Sequence, residues 1–171
     1  IMTKPDLAVA LGTFVFFLLT LTINSTAFAT TTEAPTFELP ADSGTISLEQ
    51  YRDQVVFIDF WASWCIPCKY SFPWLNEMQQ RYAEDGLKII AINIDEDQAD
   101  AREFLERVPA SFEIAYDPEG DVADLYRLKV MPSSYLIDRN GNLIHSYKGF
   151  KTSDGTRIEE KIQKLLKKDE N

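Results

Sequence analysis

A chain of 171 residues with 45% hydrophobic and 26% charged residues is long enough for one packed domain and too apolar for wholesale disorder. Lys and Arg number 17 against 27 Asp and Glu, a formal charge of −10 with no basic cluster to offset it, which excludes nucleic-acid binding. Two cysteines and one histidine cannot complete a structural zinc site without carboxylates, so no metal site is expected.

Residues 1–29 hold Lys4, an apolar run from Leu7 to Ile23, and the small-x-small tripeptide Ala27-Phe28-Ala29. Met2 is taken as the true start. This is the layout of a signal peptide cleaved after Ala29. A retained membrane anchor is the other reading, because the run is near the length of about 20 residues that a bilayer requires. Either outcome places the globular part outside the cytoplasm, in a bacterium the periplasm, and limits membrane contact to such an anchor. Residues 30–35, Thr-Thr-Thr-Glu-Ala-Pro, read as a solvated linker, with the domain occupying 36–171.

Thr45-Ile46-Ser47-Leu48 is a candidate first strand. Val55-Val56-Phe57-Ile58-Asp59-Phe60 is a nearly continuous apolar run suited to a central strand buried on both faces, with one anomalous Asp. After Cys65, residues Phe72, Leu75, Met78, Gln79 and Tyr82 fall near one face of a helix that contains Pro73 and is expected to kink there. Leu87–Ile94 is a second buried strand, Gln98–Arg107 a helix ending before Pro109, and Val122–Tyr126 a short helix. Ser134–Ile137 and Leu143–Lys148 read as strands joined through Asn140-Gly141, a hairpin signal. Ile158, Ile162, Leu165 and Leu166 form the apolar stripe of a last helix, whose acids stand early and lysines late. Strands alternating with helices, then a hairpin and a helix, make an α/β sandwich with a central mixed sheet flanked by helices.

Trp61-Ala62-Ser63-Trp64-Cys65-Ile66-Pro67-Cys68 links the central strand to the first long helix. At a helix start, unpaired N–H groups and partial positive charge favour the Cys65 thiolate. Cys68 lies one turn deeper, within bonding reach yet shielded, and Pro67 stiffens the turn. The pair is suited to redox cycling, with Cys65 attacking and Cys68 resolving. A disulfide closing so short a loop constrains the unfolded chain little, which argues against a mere staple. Haem attachment would need a His where Lys69 stands.

With these residues the chain resembles the thioredoxin superfamily and, within it, the exported TlpA/ResA-like thiol–disulfide oxidoreductases. The likeness runs from about Thr36 to Leu166 and includes Phe60-Trp61-Ala62-Ser63-Trp64-Cys65-Ile66-Pro67-Cys68, Pro73, Val130-Met131-Pro132-Ser133-Ser134 and Ile137-Asp138-Arg139-Asn140-Gly141. It implies a thioredoxin-like sandwich in which 95–132 holds the TlpA-type insertion of an extra helix and strand. It also implies that Cys65 is the nucleophile, Cys68 the resolving thiol and Pro132 a cis-proline. The Met131 backbone would then pair with an extended partner. Many TlpA-like members carry a glutamate three residues after the second cysteine, where this chain has Ser71.

Asp59 carries its own case. Burial disfavours the anion and raises the pKa toward neutrality, so that beneath Cys68 it could take the resolving thiol's proton; the competing reading is a buried Asp satisfied by hydrogen bonds. Thioredoxins often pair this acid with a Lys, and the aligned position here is Ala91. Trp64, Ile66, Pro67 and Met131 are the candidate partner-binding residues, joined around Cys65 by Tyr70 and by Phe60 and Trp61, the first favoured as core. His145 and the acids at 96, 97 and 100, with the other acids, are assigned to structure or solvated surface.

These residues describe a thiol–disulfide oxidoreductase that exchanges electrons with protein dithiols and disulfides and is recharged by a membrane or thioredoxin-type donor. It needs no cofactor beyond the Cys65–Cys68 disulfide. Ile66-Pro67 places no His between the cysteines, which favours a reductant, and the resemblance suggests a role in cytochrome c maturation. The competing readings are a peroxidase of the peroxiredoxin kind and a binding module with an idle disulfide. Peroxiredoxins place a Thr three residues before the nucleophile, where this chain has Ala62.

Overall fold

A nearly continuous apolar run organises this chain around a single strand, Val55–Trp61. The computed structural model describes residues 32–167, and its strands are β1 (Thr32–Glu33), β2 (Glu38–Ala41), β3 (Gly44–Ser47), β4 (Val55–Trp61), β5 (Leu87–Asn93), β6 (Glu113–Tyr116), β7 (Ser133–Ile137) and β8 (Asn142–Lys148). The helices are α1 (Cys68–Tyr82), α2 (Gln98–Arg107), α3 (Asp121–Leu125) and α4 (Gly155–Leu166). The signal or anchor reading of 1–29 lies outside the described residues. Among those described, no helix is long and apolar enough to cross a membrane.

Every residue of β4 is buried, and alternate side chains go to opposite faces. Val55, Phe57 and Trp61 join a core with Phe72, Leu75 and Met78 of α1, Phe104 of α2, and Ile158 and Ile162 of α4. Val56, Ile58 and Phe60 join a second core with Ile46, Val122, Tyr126 and Tyr135. The eight-stranded sheet has the order β1-β8-β7-β4-β5-β6-β2-β3. It is parallel across β4–β5–β6 and antiparallel at its other pairings, the mixed sheet expected.

Helix α1 runs through Pro73 to Tyr82 and buries Phe72, Leu75, Met78 and Tyr82. Gln79, read as part of the apolar stripe, is half-buried for a polar reason: it accepts from Ile89 N at 2.8 Å and donates to Leu87 O at 3.1 Å, tying α1 to β5. Between 95 and 132 lie α2, β6 and α3, which supply the inserted helix and strand. The β7–β8 hairpin turns at Gly141, whose φ of 82° suits glycine.

The linker at 30–35 is corrected from Thr32 onward. Thr32 and Glu33 pair with Leu143 and Asn142, Ala34 N donates to Gly141 O at 2.9 Å, and Tyr126 Oη donates to Pro35 O at 2.7 Å. Composition marked this stretch as polar, but backbone groups on the side of β8 away from β7 need no apolar side chain to recruit it as the edge strand. Strand β2 went unread because it is four residues long and contains Pro40; its hairpin with β3 sets it in place.

Candidate active site

Strand β4 ends at Trp61, and a tight turn carries the chain into α1. Cys65 N donates to Ala62 O at 3.1 Å, Cys68 N to Cys65 O at 3.2 Å, and Lys69 N to Ile66 O at 3.1 Å. Pro67 is already helical at φ −62° and ψ −24° and precedes the first residue of α1, where its missing N–H costs nothing. Cys65 and Cys68 form a disulfide with Cα atoms 5.4 Å apart. Cys68 is sealed at 0% exposure, whereas Cys65 keeps 3%. The outer and inner order of the two sulfurs is the one expected from their spacing.

The rim around Cys65 is apolar and open. Trp64 is 63% exposed, Ile66 65% and Tyr70 64%, while Pro67 is exposed and Met131 half-buried. Phe60 and Trp61 take no part in this rim: both are fully buried, Phe60 against Tyr126 and Tyr135 and Trp61 against Phe72 and Phe104. The Met131–Pro132 peptide bond is cis, and Pro132 O accepts from Gly149 N at 2.7 Å. Among the described residues nothing hydrogen-bonds to the Met131 backbone. A groove of about 800 Å³ along α1 and β6, lined by Asn76, Gln79, Lys88 and Glu113, contains neither cysteine. The Cys65–Cys68 pair lies outside that groove, beside the exposed Trp64, Ile66 and Tyr70.

Asp59 projects from β4 on the same face as Phe57 and Trp61, toward the core that contains both cysteines. It is 1% exposed and pairs in register with Ala91 on one side and Ser134 on the other, so no lysine stands beside it at position 91. Ser134 Oγ donates to Asp59 Oδ1 at 2.6 Å, and Asp59 Oδ2 is buried without a partner. Burial pushes its pKa up to about 7 despite the opposing Ser134 bond. Ser71, where a glutamate stands in many TlpA-like chains, is buried and donates to Cys68 O at 3.1 Å.

Two features escaped the sequence reading. Asp95 and Asp117, grouped there with the surface acids, are 5% and 2% exposed. Asp117 accepts from Ala123 N at 2.8 Å, and Asp95 accepts from Ser63 N at 2.8 Å and Ser63 Oγ at 3.0 Å. Ser134 was read as a strand residue and as part of the Val130–Ser134 motif, without its bond to Asp59. Periodicity marks which positions face inward but not which polar atoms meet across strands distant in sequence. Glu96, Asp97 and Asp100 are exposed as expected, with Asp97 capping α2 through Ala99 N at 2.8 Å. His145, half-buried on β8, faces Lys161 at 3.5 Å and stays outside the site.

Comparison with known proteins agrees with this geometry. A family described as AhpC/TSA matches residues 30–146. The thiol-disulfide oxidoreductase ResA of Bacillus thuringiensis subsp. konkukian is 34% identical over 134 residues, covering 78% of this chain and 76% of the relative. ResA of Geobacillus kaustophilus is 34% identical over 130 residues, covering 75% of each. Among solved structures, a Chlorobium tepidum protein assigned as thiol:disulfide interchange protein DsbE is 44% identical with TM-score 0.78, covering 79% of this chain and 96% of that one. StoA from Bacillus subtilis, 24% identical with TM-score 0.63, covers 74% of this chain and 95% of its own and shares the fold.

Proposed function

The chain belongs to the AhpC/TSA family and is a thioredoxin-like thiol–disulfide oxidoreductase; on that premise we propose that it acts outside the cytoplasm as a reductant of protein disulfides. The observation that carries this reading is the asymmetry of the pair: Cys65 opens onto an apolar rim while Cys68 is sealed beneath it. Only the outer sulfur can meet a partner, and only the inner one can end the encounter.

In the reduced protein, the Cys65 thiolate attacks one sulfur of a partner disulfide and displaces the other as a thiolate. Cys68 then attacks the Cys65 sulfur, and its proton passes to Asp59, whose second oxygen is free to receive it. That attack breaks the mixed disulfide and releases the partner's second sulfur as a thiolate, so two electrons pass to the partner, whose two thiolates take their protons from Asp59 and from solvent, leaving the Cys65–Cys68 disulfide. No bound cofactor is required, because the sulfur pair stores the electrons. The Trp64, Ile66 and Pro67 surface, with the unpaired Met131 backbone, receives an extended segment of the partner.

The direction of transfer follows from the residues between the cysteines. Ile66 and Pro67 supply no cation, and a pair without one gains little thiolate stabilisation, which leaves its dithiol a good electron donor. A membrane or thioredoxin-type dithiol recharges the pair. Cysteines kept reduced for cytochrome c maturation are substrates of the right chemistry. Equilibration against glutathione tests the direction: a potential toward the thioredoxin end, about −270 mV, is expected, and one near about −120 mV would overturn it.

A further inference from the structure

Asp95 lies just past β5 and is buried at 5% exposure. Its Oδ2 accepts from Ser63 N at 2.8 Å and Asn93 Nδ2 at 2.7 Å, and its Oδ1 accepts from Ser63 Oγ at 3.0 Å. Its own amide donates to Asn93 Oδ1 at 3.0 Å. Asn93 is fixed in turn, fully buried and in register with Trp61. Every contact to the carboxylate comes from a donor, so the group serves there as an acceptor only. Ser63 stands two residues before Cys65, in the turn closed by the Cys65 N to Ala62 O bond. With consecutive Cα atoms about 3.8 Å apart, the carboxylate grips the backbone within about 8 Å of the Cys65 Cα.

We propose that Asp95 is a positioning residue for the exchange reaction, holding the Cys65 turn through Ser63 while its negative charge opposes the Cys65 thiolate and keeps the reduced pair a strong electron donor. This rests on Cys65 being the attacking thiol. A carboxylate held on the turn that carries Cys65 repels a thiolate there, so it makes the reduced, thiolate-bearing state less favourable. Because dithiol plus partner disulfide exchanges two electrons and two protons for disulfide plus partner dithiol, that penalty drives electrons outward. Other charged groups stand beside the pair, Asp95 or Met131 in the chain, or on the strand face beneath the pair. Asp59 lies on the β4 face below, Lys69 follows Cys68 on α1, Glu96 follows Asp95, and Lys129 precedes Met131 in the segment leading to β7. None is altered when Asp95 is replaced.

The test compares Asp95→Asn with Ser63→Ala in the full chain, using glutathione redox equilibria and the pH dependence of Cys65 alkylation. Asp95→Asn is expected to shift the equilibrium about tenfold toward the dithiol, about 30 mV more positive, and to move the alkylation midpoint to lower pH. Ser63→Ala keeps the charge and is expected to shift the equilibrium less than threefold. Equal shifts in the two variants, or none in Asp95→Asn, overturn the proposal. Asp95→Ser, which removes the charge with a smaller side chain, takes the place of Asp95→Asn if the latter does not fold. The underlying reading fails separately, in a wild-type protein unable to reduce a protein disulfide.

Discussion

Ser134 on β7 donates to one oxygen of Asp59 on β4 at 2.6 Å and leaves the other oxygen buried and unpartnered. The serine holds the carboxyl in one orientation without meeting its full capacity, which leaves its second oxygen open to the proton of the proposed resolving step. Because burial holds its pKa at about 7, Asp59 also couples folding to pH.

The sign of that coupling is set by the upward shift from 3.8. Below pH 4 both the folded and the unfolded chain carry the proton. As pH rises toward 7 the unfolded chain releases it while the folded protein retains it, so stability falls across this window and levels off above it. Asp59→Asn removes a penalty on the order of a few kcal/mol. Its melting temperature relative to wild type is expected to rise by on the order of 5–10 °C between pH 4 and pH 8, as read by calorimetry. A difference that does not vary with pH would show Asp59 to be outside this equilibrium.

Cys65→Ser is expected to abolish reduction of a protein disulfide such as insulin. Cys68→Ser removes the resolving thiol, so Cys65 should remain joined to its partner. Non-reducing gels and mass spectrometry should find these adducts in Cys68→Ser and not in Cys65→Ser. The reverse pattern would exchange the two roles.

Trp64 and Trp61 separate surface from core. Trp64→Ala, at an exposed position, is expected to change stability by less than about 0.5 kcal/mol. It should slow reaction with a protein disulfide by about tenfold while sparing a small dithiol-exchange substrate, consistent with about 1.4 kcal/mol of lost docking. Trp61→Ala, with its ring 5.0 Å from Phe72 and 4.9 Å from Phe104, should cost about 3–5 kcal/mol in urea unfolding.

Phe104 joins the inserted α2 to the helix that carries Cys68, its ring 5.2 Å from Phe72. Phe104→Ala is expected to lower stability by about 3–5 kcal/mol. Its effect on the rate of disulfide exchange should be smaller than that of Trp64→Ala, since Phe104 is fully buried and cannot meet a partner.

Hydrogen peroxide distinguishes disulfide exchange from peroxidase chemistry. Buried Ala62 offers no side-chain hydroxyl to orient a peroxide three residues before Cys65. Peroxide consumption by the reduced protein is expected to be slower than its reduction of a protein disulfide, in matched stopped-flow measurements. Faster peroxide turnover would place the protein among the peroxidases.

Much of the site was legible in the sequence because its signals are local. The Cys-x-x-Cys spacing, the strand before it and Met131-Pro132 each occupy a few consecutive residues, and the structure contains a Cys65–Cys68 disulfide and a cis Met131–Pro132 bond. The rim was only partly legible. Trp64 and Trp61 are equally apolar and three residues apart, yet one is 63% exposed and the other fully buried. Hydrophobicity alone cannot say which side of the last strand residue the chain turns toward.

The sequence by itself determined the chemistry and the layering, since two cysteines at helical spacing and one strand apolar on both sides allow few alternatives. Only the tertiary structure decided which acids are buried and what they hold. Asp95 reaches Ser63 from 32 residues away and Ser134 reaches Asp59 across 75. A hydrogen bond between distant segments depends on strand register and on the path of the turns, which one segment's own pattern does not contain. The same reason brings Thr32 and Glu33 into the sheet: β8 offers them backbone partners that their side chains do not announce.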